Sequence, residues 1–313
     1  MDIYQGVQTI GGRGGLPFDC YGGSNGKVLE KIGVWVGPSM IKAIRVWLTD
    51  SAPQTFGKPD GPYKEFSFEP AERITRMSLW GNGAGTRTGW IYFETNKNKR
   101  FDHGMTQWGR KQEYPIDVAS GICVGVMGRC YDEIDMLGFV FLKPISSARL
   151  TNITYPTLEF DSHGIMPETL DQYTDINTTS SPRNWEFNGS RKLTTSSSWS
   201  ITTGLEVHST ISVQAGIPAV ASVGVEAGWK VSASGTYQTT SETERTSSWG
   251  QSGTLQPGES ISLKAVTRKG ELTIPYDGSM EITLNSGAKF NYPLRGQYRG
   301  VSYTDVTVTD SNS

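Results

Sequence analysis

The chain has 313 residues, a formal net charge of −2 and no run of basic residues. Its length allows two domains, and without a basic run it cannot neutralise the phosphates of a nucleic acid, so the sequence predicts no nucleic-acid partner. Abundant glycine, tryptophan and tyrosine, with no long stretch of strong helix formers, indicate an all-β protein with many turns.

Targeting and cofactor signals are sparse along the chain. No segment approaches the roughly 18 consecutive apolar residues of a helical membrane span, and residues 1–6 lack the basic and apolar regions of a signal peptide. The three cysteines, Cys20, Cys123 and Cys130, are too few for a disulfide framework. No cofactor motif or paired metal-ligand motif occurs, so we expect neither a cofactor nor a metal.

Three segments of the first half are dense in β-forming residues and follow glycine-bearing stretches. They lie at residues 41–48, 88–94 and 136–142. Three similar sheets around one axis would form a β-prism, and the loose threefold rhythm of these segments favours that architecture.

A glycine-rich stretch at residues 81–85 resembles a phosphate-binding loop. Such a loop requires a helix after it, whereas residues 86–93 have the composition of a strand, so we interpret the stretch as a turn. No Ser-His-Asp, Cys-His or carboxylate-pair pattern stands out in the chain, and we predict that the protein is not an enzyme.

The composition changes near residue 147, from glycine, tryptophan and phenylalanine before it to serine and threonine after it. We interpret residues 143–147 as the boundary between the two regions. We therefore expect a first domain over residues 1–146 and a second domain over residues 147–313.

The second domain contains an alternating segment at residues 205–233. Odd positions are apolar except for one serine, and even positions in both arms are polar or glycine, which is a strand pattern. Arms at 205–215 and 223–233 flank an apolar stretch at 216–221, which we interpret as the tip of a hairpin. Each arm has the length of about 9–11 residues that a tilted membrane-spanning strand requires. An ordinary strand pair, with one face on a core and one in water, would show the same alternation.

Nine apolar residues of this segment are candidates for membrane insertion. They are Val207, Ile211, Val213, Ile217, Val220, Val223, Val225, Trp229 and Val231.

Three stretches of the first half carry a resemblance to a known family. Gly11-Gly12-Arg13-Gly14-Gly15, with residues 29–32 and 128–139, resembles jacalin-related lectins. Residues 148–313, with the alternating segment and the closing segment 296–301, resemble the aerolysin-like pore-forming module. The combination is similar to the natterin-like proteins. The resemblance implies an N-terminal jacalin-like β-prism lectin domain followed by an elongated aerolysin-like β pore-forming module.

In jacalin-related lectins, the aspartate corresponding to Asp135 accepts hydrogen bonds from sugar hydroxyls, and neighbouring loop amides donate hydrogen bonds to the sugar. The N-terminal glycine loop completes the wall of the sugar site. Arg13 and Arg129 lie in the two loops, and their guanidinium groups suggest a preference for an acidic sugar through a charge-assisted contact. A solvated acidic turn and a calcium site on Asp132, Glu133 and Asp135 are alternatives. The resemblance implies seven carbohydrate-binding residues, Gly14, Arg129, Cys130, Tyr131, Asp132, Glu133 and Asp135.

The sequence therefore predicts a glycan-binding, pore-forming cytolysin of innate immune defence that acts outside the cell on a target membrane. Copies docked on cell-surface glycans would form a homo-oligomer, because a single hairpin leaves unpaired backbone groups in lipid. A water-filled barrel needs on the order of 16 strands. The alternative is a lectin with a β oligomerisation domain and no pore.

Overall fold

The structure is a computed structural model and describes residues 3–22, 26–160, 162–203, 211–223 and 226–310. Within these ranges all the named secondary-structure elements are β-strands. In chain order they are β1 (Ile10–Gly11), β2 (Leu16–Tyr21), β3 (Leu29–Val36), β4 (Ile41–Leu48), β5 (Gln54–Gly57), β6 (Tyr63–Ser67), β7 (Ile74–Gly81), β8 (Thr88–Thr95), β9 (Arg100–Gly104), β10 (Glu113–Ile116), β11 (Cys123–Cys130), β12 (Ile134–Phe141), β13 (Ile145–Thr154), β14 (Ile165–Ile176), β15 (Arg183–Thr203), β16 (Ile211–Ala215), β17 (Pro218–Val223), β18 (Glu226–Val231), β19 (Gly235–Gln238), β20 (Thr240–Leu255), β21 (Ser260–Leu284), β22 (Lys289–Tyr303) and β23 (Thr307–Asp310). Across the same ranges, no helix has the length and hydrophobicity needed to cross a bilayer.

Three four-stranded antiparallel sheets make up most of the first compact unit. Their strand orders are β1-β12-β11-β2, β5-β4-β3-β6 and β10-β7-β8-β9. The three segments predicted as strands from the sequence are β4, β8 and β12, and each is an inner strand of a different sheet. The predicted β-prism is confirmed.

One hydrophobic core joins the three sheets. Phe93 of β8 is fully buried, and its ring stacks on that of Phe101 of β9 with the centroids 5.2 Å apart. The same ring meets Phe66 of β6 edge-on at 5.0 Å. Because β6 and β8 belong to different sheets, these aromatic contacts hold two faces of the prism together.

The second compact unit takes in Leu150–Thr202, Ser212–Gly278 and Arg295–Ser313. Its strands belong mainly to a nine-stranded sheet with the path β19-β16-β13-β21-β22-β15-β20, and β14 and β23 also pair with β21. β15 and β20 pair without a register break over sixteen partners, so their serine- and threonine-rich segments lie side by side.

One segment of the predicted second domain groups with the first unit instead. Ser279–Leu294, the end of β21 and the start of β22, belongs to the compact unit that contains the prism. There the Asn285 amide donates to the Pro144 carbonyl at 2.9 Å, and the Ser146 hydroxyl donates to the Thr283 carbonyl at 2.9 Å.

The predicted hairpin is present with a different turn. β17 and β18 pair antiparallel from Pro218↔Val231 to Val223↔Glu226, so the chain reverses between Val223 and Glu226. The prediction that residues 216–221 form the tip is therefore wrong. Short apolar runs fit a strand as well as a turn, and pairing satisfies the backbone groups of residues 218–223.

The register changes by one residue along this hairpin. At its base, β16 and β19 pair Val213 with Tyr237, so odd-numbered residues face odd-numbered residues. Nearer the reversal, Val220 of β17 faces Trp229 of β18, so even-numbered residues face odd-numbered ones. The loss of strand geometry at residues 216–217 and 232–234 separates the two pairings.

We predict that Phe93→Ala lowers the free energy of unfolding of the first unit by about 3–5 kcal/mol, because it leaves a cavity where two sheets meet. Urea denaturation monitored by fluorescence measures the change. Leu16→Ala is the control, since Leu16 is 66% exposed and its truncation should cost less than about 0.5 kcal/mol. Equal losses in the two variants would contradict the assignment of Phe93 to the core.

Candidate functional site

Strand pairing brings two loops together at one end of the sheet that contains β1, β12, β11 and β2. β1 pairs with β12, with Gly11 opposite Met136, and β2 pairs with β11, with Leu16 opposite Cys130. The glycine loop (residues 12–15) joins β1 to β2, and the acidic loop (residues 131–133) joins β11 to β12. The two loops, distant in sequence, must therefore be neighbours.

Glycine allows the glycine loop to approach the Asp135 carboxylate. A Cβ at Gly14 would lie 2.3 Å from Asp135 Oδ1, and a Cβ at Gly15 would lie 2.6 Å from Asp135 Oδ2. Gly15 also has a positive φ of 61°, which favours glycine. The Gly12 amide donates to the Asp135 carbonyl at 2.7 Å. Larger residues at positions 14 and 15 would push the loop off the aspartate.

Arg129 holds the glycine loop from the side. Its Nε donates to the Gly14 carbonyl at 2.8 Å and its Nη2 donates to the Gly15 carbonyl at 2.8 Å. The sequence suggested that this guanidinium contacts an acidic sugar, but in the structure two of its donors fix the backbone of the loop.

Two cationic side chains pair with the two carboxylates at the base of the site. Arg87 Nη1 lies 2.8 Å from Asp135 Oδ1, and Arg87 Nε donates to Glu133 Oε2 at 3.0 Å. Lys42 Nζ donates to Glu133 Oε1 at 3.0 Å. Asp135 is only 3% exposed, because Arg87 and the glycine loop cover its carboxylate.

The network sets the charge state of Glu133. Burial alone raises the pKa of the Glu133 carboxyl, but hydrogen bonds from Lys42 and Arg87 outweigh it and hold the pKa below its ordinary value. Sequence reasoning missed both cations, since Arg87 follows the glycine-rich turn at 81–85 and Lys42 lies in β4. Only the three-sheet packing brings them to the acidic loop.

The remaining predicted residues form the outer part of the site. Tyr131 is 74% exposed, and its amide donates to the Glu133 carbonyl at 3.2 Å. Asp132 is exposed, and its carbonyl accepts from the Lys58 amide at 2.9 Å. Burial raises the pKa of the half-buried Cys130 thiol, which therefore stays protonated. The surface offers an aromatic ring, a carboxylate and backbone groups beside one another.

Metal binding has little support at this cluster. Glu133 and Asp135 both face cationic side chains, and no group of three or more His, Cys, Asp and Glu suited to a metal ion occurs in the ranges that the structure describes.

The alternating segment forms a second candidate region, which packs on its own unit. Trp229 is 2% exposed, and its Nε1 donates to the His163 carbonyl at 2.8 Å. The Val220 amide donates to the Ser302 hydroxyl at 3.2 Å. The Phe160 ring lies against Gly228, where a Cβ would come within 2.9 Å of Phe160 Cδ2.

The predicted inserting residues differ in exposure. Val213, Val220 and Trp229 are buried, Ile211 and Ile217 are half-buried, and Val231 is 47% exposed. Val207 and Val225 lie outside the described residues, and of Val223 only the backbone is described. Most of the described side chains of this set are thus buried or half-buried.

Two families match this chain, one for each part. The jacalin-like lectin domain matches residues 7–140. The family of Clostridium epsilon toxin ETX and Bacillus mosquitocidal toxin MTX2 matches residues 128–312. Together they define the class, a lectin domain followed by an aerolysin-like toxin domain. Because the second match spans more than half of the residues, the chain belongs to the ETX/MTX2 family.

The chain is also similar to several solved structures. The chain is similar to the lamprey immune protein, with 36% identity and a TM-score of 0.80 over 99% of both chains. It is also similar to the Malaysian banana lectin, with 26% identity and a TM-score of 0.37 over 45% of this chain and 98% of the lectin. A non-toxic crystal protein of Bacillus thuringiensis has 13% identity and a TM-score of 0.35 over 53% of this chain and 87% of its own. No protein with a curated description matches.

We predict that Glu133→Gln lowers the stability of the first unit at neutral pH by about 1 kcal/mol. The folded-state pKa of Glu133 is lowered, so its contribution is present above the unfolded value of about 4.5 and is lost as pH falls through the folded pKa. The difference in Tm between wild type and variant should therefore shrink below about pH 4.5.

The control is Glu65→Gln, which removes a more exposed ion pair with Lys31. It should change the Tm at neutral pH by less than Glu133→Gln. A Tm difference for Glu133→Gln that stays constant into acid would contradict the role given to Lys42 and Arg87.

Proposed function

We propose that this protein binds cell-surface glycans through its lectin domain and then forms a pore in the bound membrane with its toxin domain. The observation that carries the proposal is the pairing of a jacalin-like domain with an ETX/MTX2 domain whose amphipathic hairpin packs on its own unit. The protein acts outside the cell at the target membrane, as a homo-oligomer and in innate immune defence. Residues 1–146 recognise the glycan, and residues 147–313 change conformation.

The glycan contacts Tyr131, Asp132 and the backbone of residues 130–133, with Gly14 opposite. An exposed ring and a carboxylate suit the apolar face and the hydroxyls of a sugar. Glu133 and Asp135 act from beneath, where Arg87 holds both carboxylates. Arg129 acts by fixing the glycine loop, and a sugar hydroxyl that reaches Asp135 replaces Arg87 as its partner.

Docking favours assembly because it confines copies to one surface and raises their effective concentration. Hairpins from neighbouring copies must then pair into a closed ring, since open strand edges in hydrocarbon leave backbone groups without partners. About 16 strands enclose water, or roughly eight copies with two strands each.

The hairpin must leave its unit before it can insert. Trp229 exchanges contacts with the unit for contact with lipid. The exposed Val231 moves from water into lipid, and transfer of apolar surface from water is favourable by about 25 cal/mol per Å2. The hydrogen bonds of Trp229 to His163 and of Val220 to Ser302 are lost in the same step.

Insertion also requires a change of register. With Val220 opposite Trp229, the odd-numbered residues of β17 lie on the face opposite to Trp229 and Val231. A one-residue shift moves every side chain of a strand to the other face. Such a shift, to the odd-with-odd pairing already present between β16 and β19, aligns the two apolar stripes for contact with lipid.

We predict that Tyr131→Ala weakens glycan binding at least tenfold, or about 1.4 kcal/mol, because it removes an exposed aromatic contact. A glycan array identifies the ligand, and calorimetry measures Kd. Tyr21→Ala is the matched control, since Tyr21 is also exposed but lies at the far end of β2. Equal Kd values for wild type and Tyr131→Ala would contradict the placement of the site.

We predict that a disulfide between Phe160→Cys and Gly228→Cys abolishes dye release from glycan-bearing vesicles. The close contact of Phe160 Cδ2 with position 228 brings the two Cβ atoms within reach of a disulfide. Glycan binding should be unchanged, and reduction should restore release. Undiminished release with the disulfide intact, verified by mass spectrometry, would eliminate hairpin conversion.

We predict that Val231→Lys also blocks dye release while the soluble protein keeps its Tm. Val231 is exposed in the soluble form, but a lysine facing the middle of a bilayer costs about 2–4 kcal/mol in every subunit. Glu226→Lys is the control, because it adds the same side chain to the exposed polar face of β18. A lectin without pore activity would show no release for wild type either.

A further inference from the structure

A second cavity lies in the lectin domain beside the proposed glycan site. Its volume is about 370 Å3, within the size range of small-molecule sites. Gly11 of β1, the glycine-rich turn at residues 81–85 and Gln112 and Tyr114 around β10 line it. The stretch interpreted from sequence as a turn, and not as a phosphate-binding loop, therefore forms one wall of this cavity.

The wall of the cavity is preorganised. Asn82 is 3% exposed and its Oδ1 accepts from the amides of Ala84 at 3.1 Å and Thr86 at 3.3 Å. Gly83 and Gly85 have φ angles of 83° and 69°, which favour glycine. The turn thus keeps its shape, and its glycines leave the space open.

One charged side chain lines the cavity. Lys111 lies over Gly83, with its Cγ, Cδ and Cε 3.0–3.3 Å from the position of a Cβ there. Among the described residues Lys111 has no hydrogen-bond or ion-pair partner, and none of the lining residues is acidic. The ammonium group, with Gln112, Tyr114 and Thr9 as further polar groups, suits an anionic ligand rich in hydroxyls.

The cavity lies close to the proposed glycan site. Gly11 lines the cavity, and a Cβ on it would lie 2.0 Å from the Asp135 carbonyl oxygen. The glycine-rich turn leads directly to Arg87, which pairs with Asp135. Gly11 and Gly14 are three residues apart, so at most about 11 Å of chain separates the two places. One oligosaccharide is long enough to enter both.

We propose that this cavity binds a second saccharide unit of the glycan held near Asp135, and that Lys111 contacts a carboxylate or sulfate group on that unit. The inference rests on the proposed glycan binding and adds a subsite to it. The source of acid selectivity is then Lys111 rather than Arg129, whose donors hold the glycine loop.

The test is an array that carries neutral oligosaccharides beside their sialylated and sulfated derivatives, probed with the full-length protein. Wild type should bind an acidic member about tenfold more tightly than its neutral parent. Lys111→Met should remove this preference and leave neutral binding unchanged, and Lys111→Arg should restore it. Lys97→Met, at an exposed lysine of the same unit, should have no effect.

A second variant fills the cavity without touching the charge. A Cβ at Gly81 would meet only the Arg87 carbonyl, at 3.9 Å, so Gly81→Val should fold normally and lose the acidic preference. Retained preference in both Lys111→Met and Gly81→Val, or equal binding of acidic and neutral glycans by wild type, overturns the subsite alone. Absence of binding to every glycan overturns the proposed lectin function as well.

Discussion

The register of strand pairing positions the two loops of the proposed glycan site and the apolar hairpin of the toxin domain. In a β-strand, a shift of one residue moves each side chain to the opposite face. In the lectin domain, the pairing of β1 with β12 and of β2 with β11 brings the glycine loop onto Asp135. In the toxin domain, the pairing of β17 with β18 determines which apolar side chains lie against the unit.

The proposed glycan site combines a buried base with an exposed rim. Arg129 and Arg87 bind backbone carbonyls and carboxylates beneath the surface, so the positions of Gly14 and Asp135 are fixed before a ligand arrives. Preorganisation of this kind reduces the entropy that a ligand loses on binding. Tyr131 is free at the rim, where an aromatic ring contributes most to recognition of a sugar face.

In the toxin domain, β17 and β18 pack against the rest of their unit. Among the described residues, Val220, Ala227 and Trp229 are buried there. The hydroxyl-rich strands β15 and β20 pair continuously, and Phe187 of β15 packs with Leu263 and Ala265 in a small hydrophobic core. In the proposed mechanism, glycan docking would supply the concentration needed for assembly, and lipid contact would compensate for the buried surface that the hairpin gives up.

Much of the fold could be predicted from the sequence. The period of two along a strand depends only on neighbouring residues, so β4, β8 and β12 were predicted from their composition. The resemblance to jacalin-related lectins led to the loops that contain Gly14 and Asp135. The alternating segment was also recognised as strand, although its turn was placed at 216–221 rather than between Val223 and Glu226.

Tertiary structure alone decided the contacts between distant segments. Arg87 and Lys42 approach Glu133 because three sheets pack around one core, and Ser279–Leu294 groups with the first unit through contacts with residues such as Pro144. The sequence by itself determined which segments form strands and which faces are apolar, because those properties are local. Register and the packing of sheets decided the rest, since they depend on residues far apart in the chain.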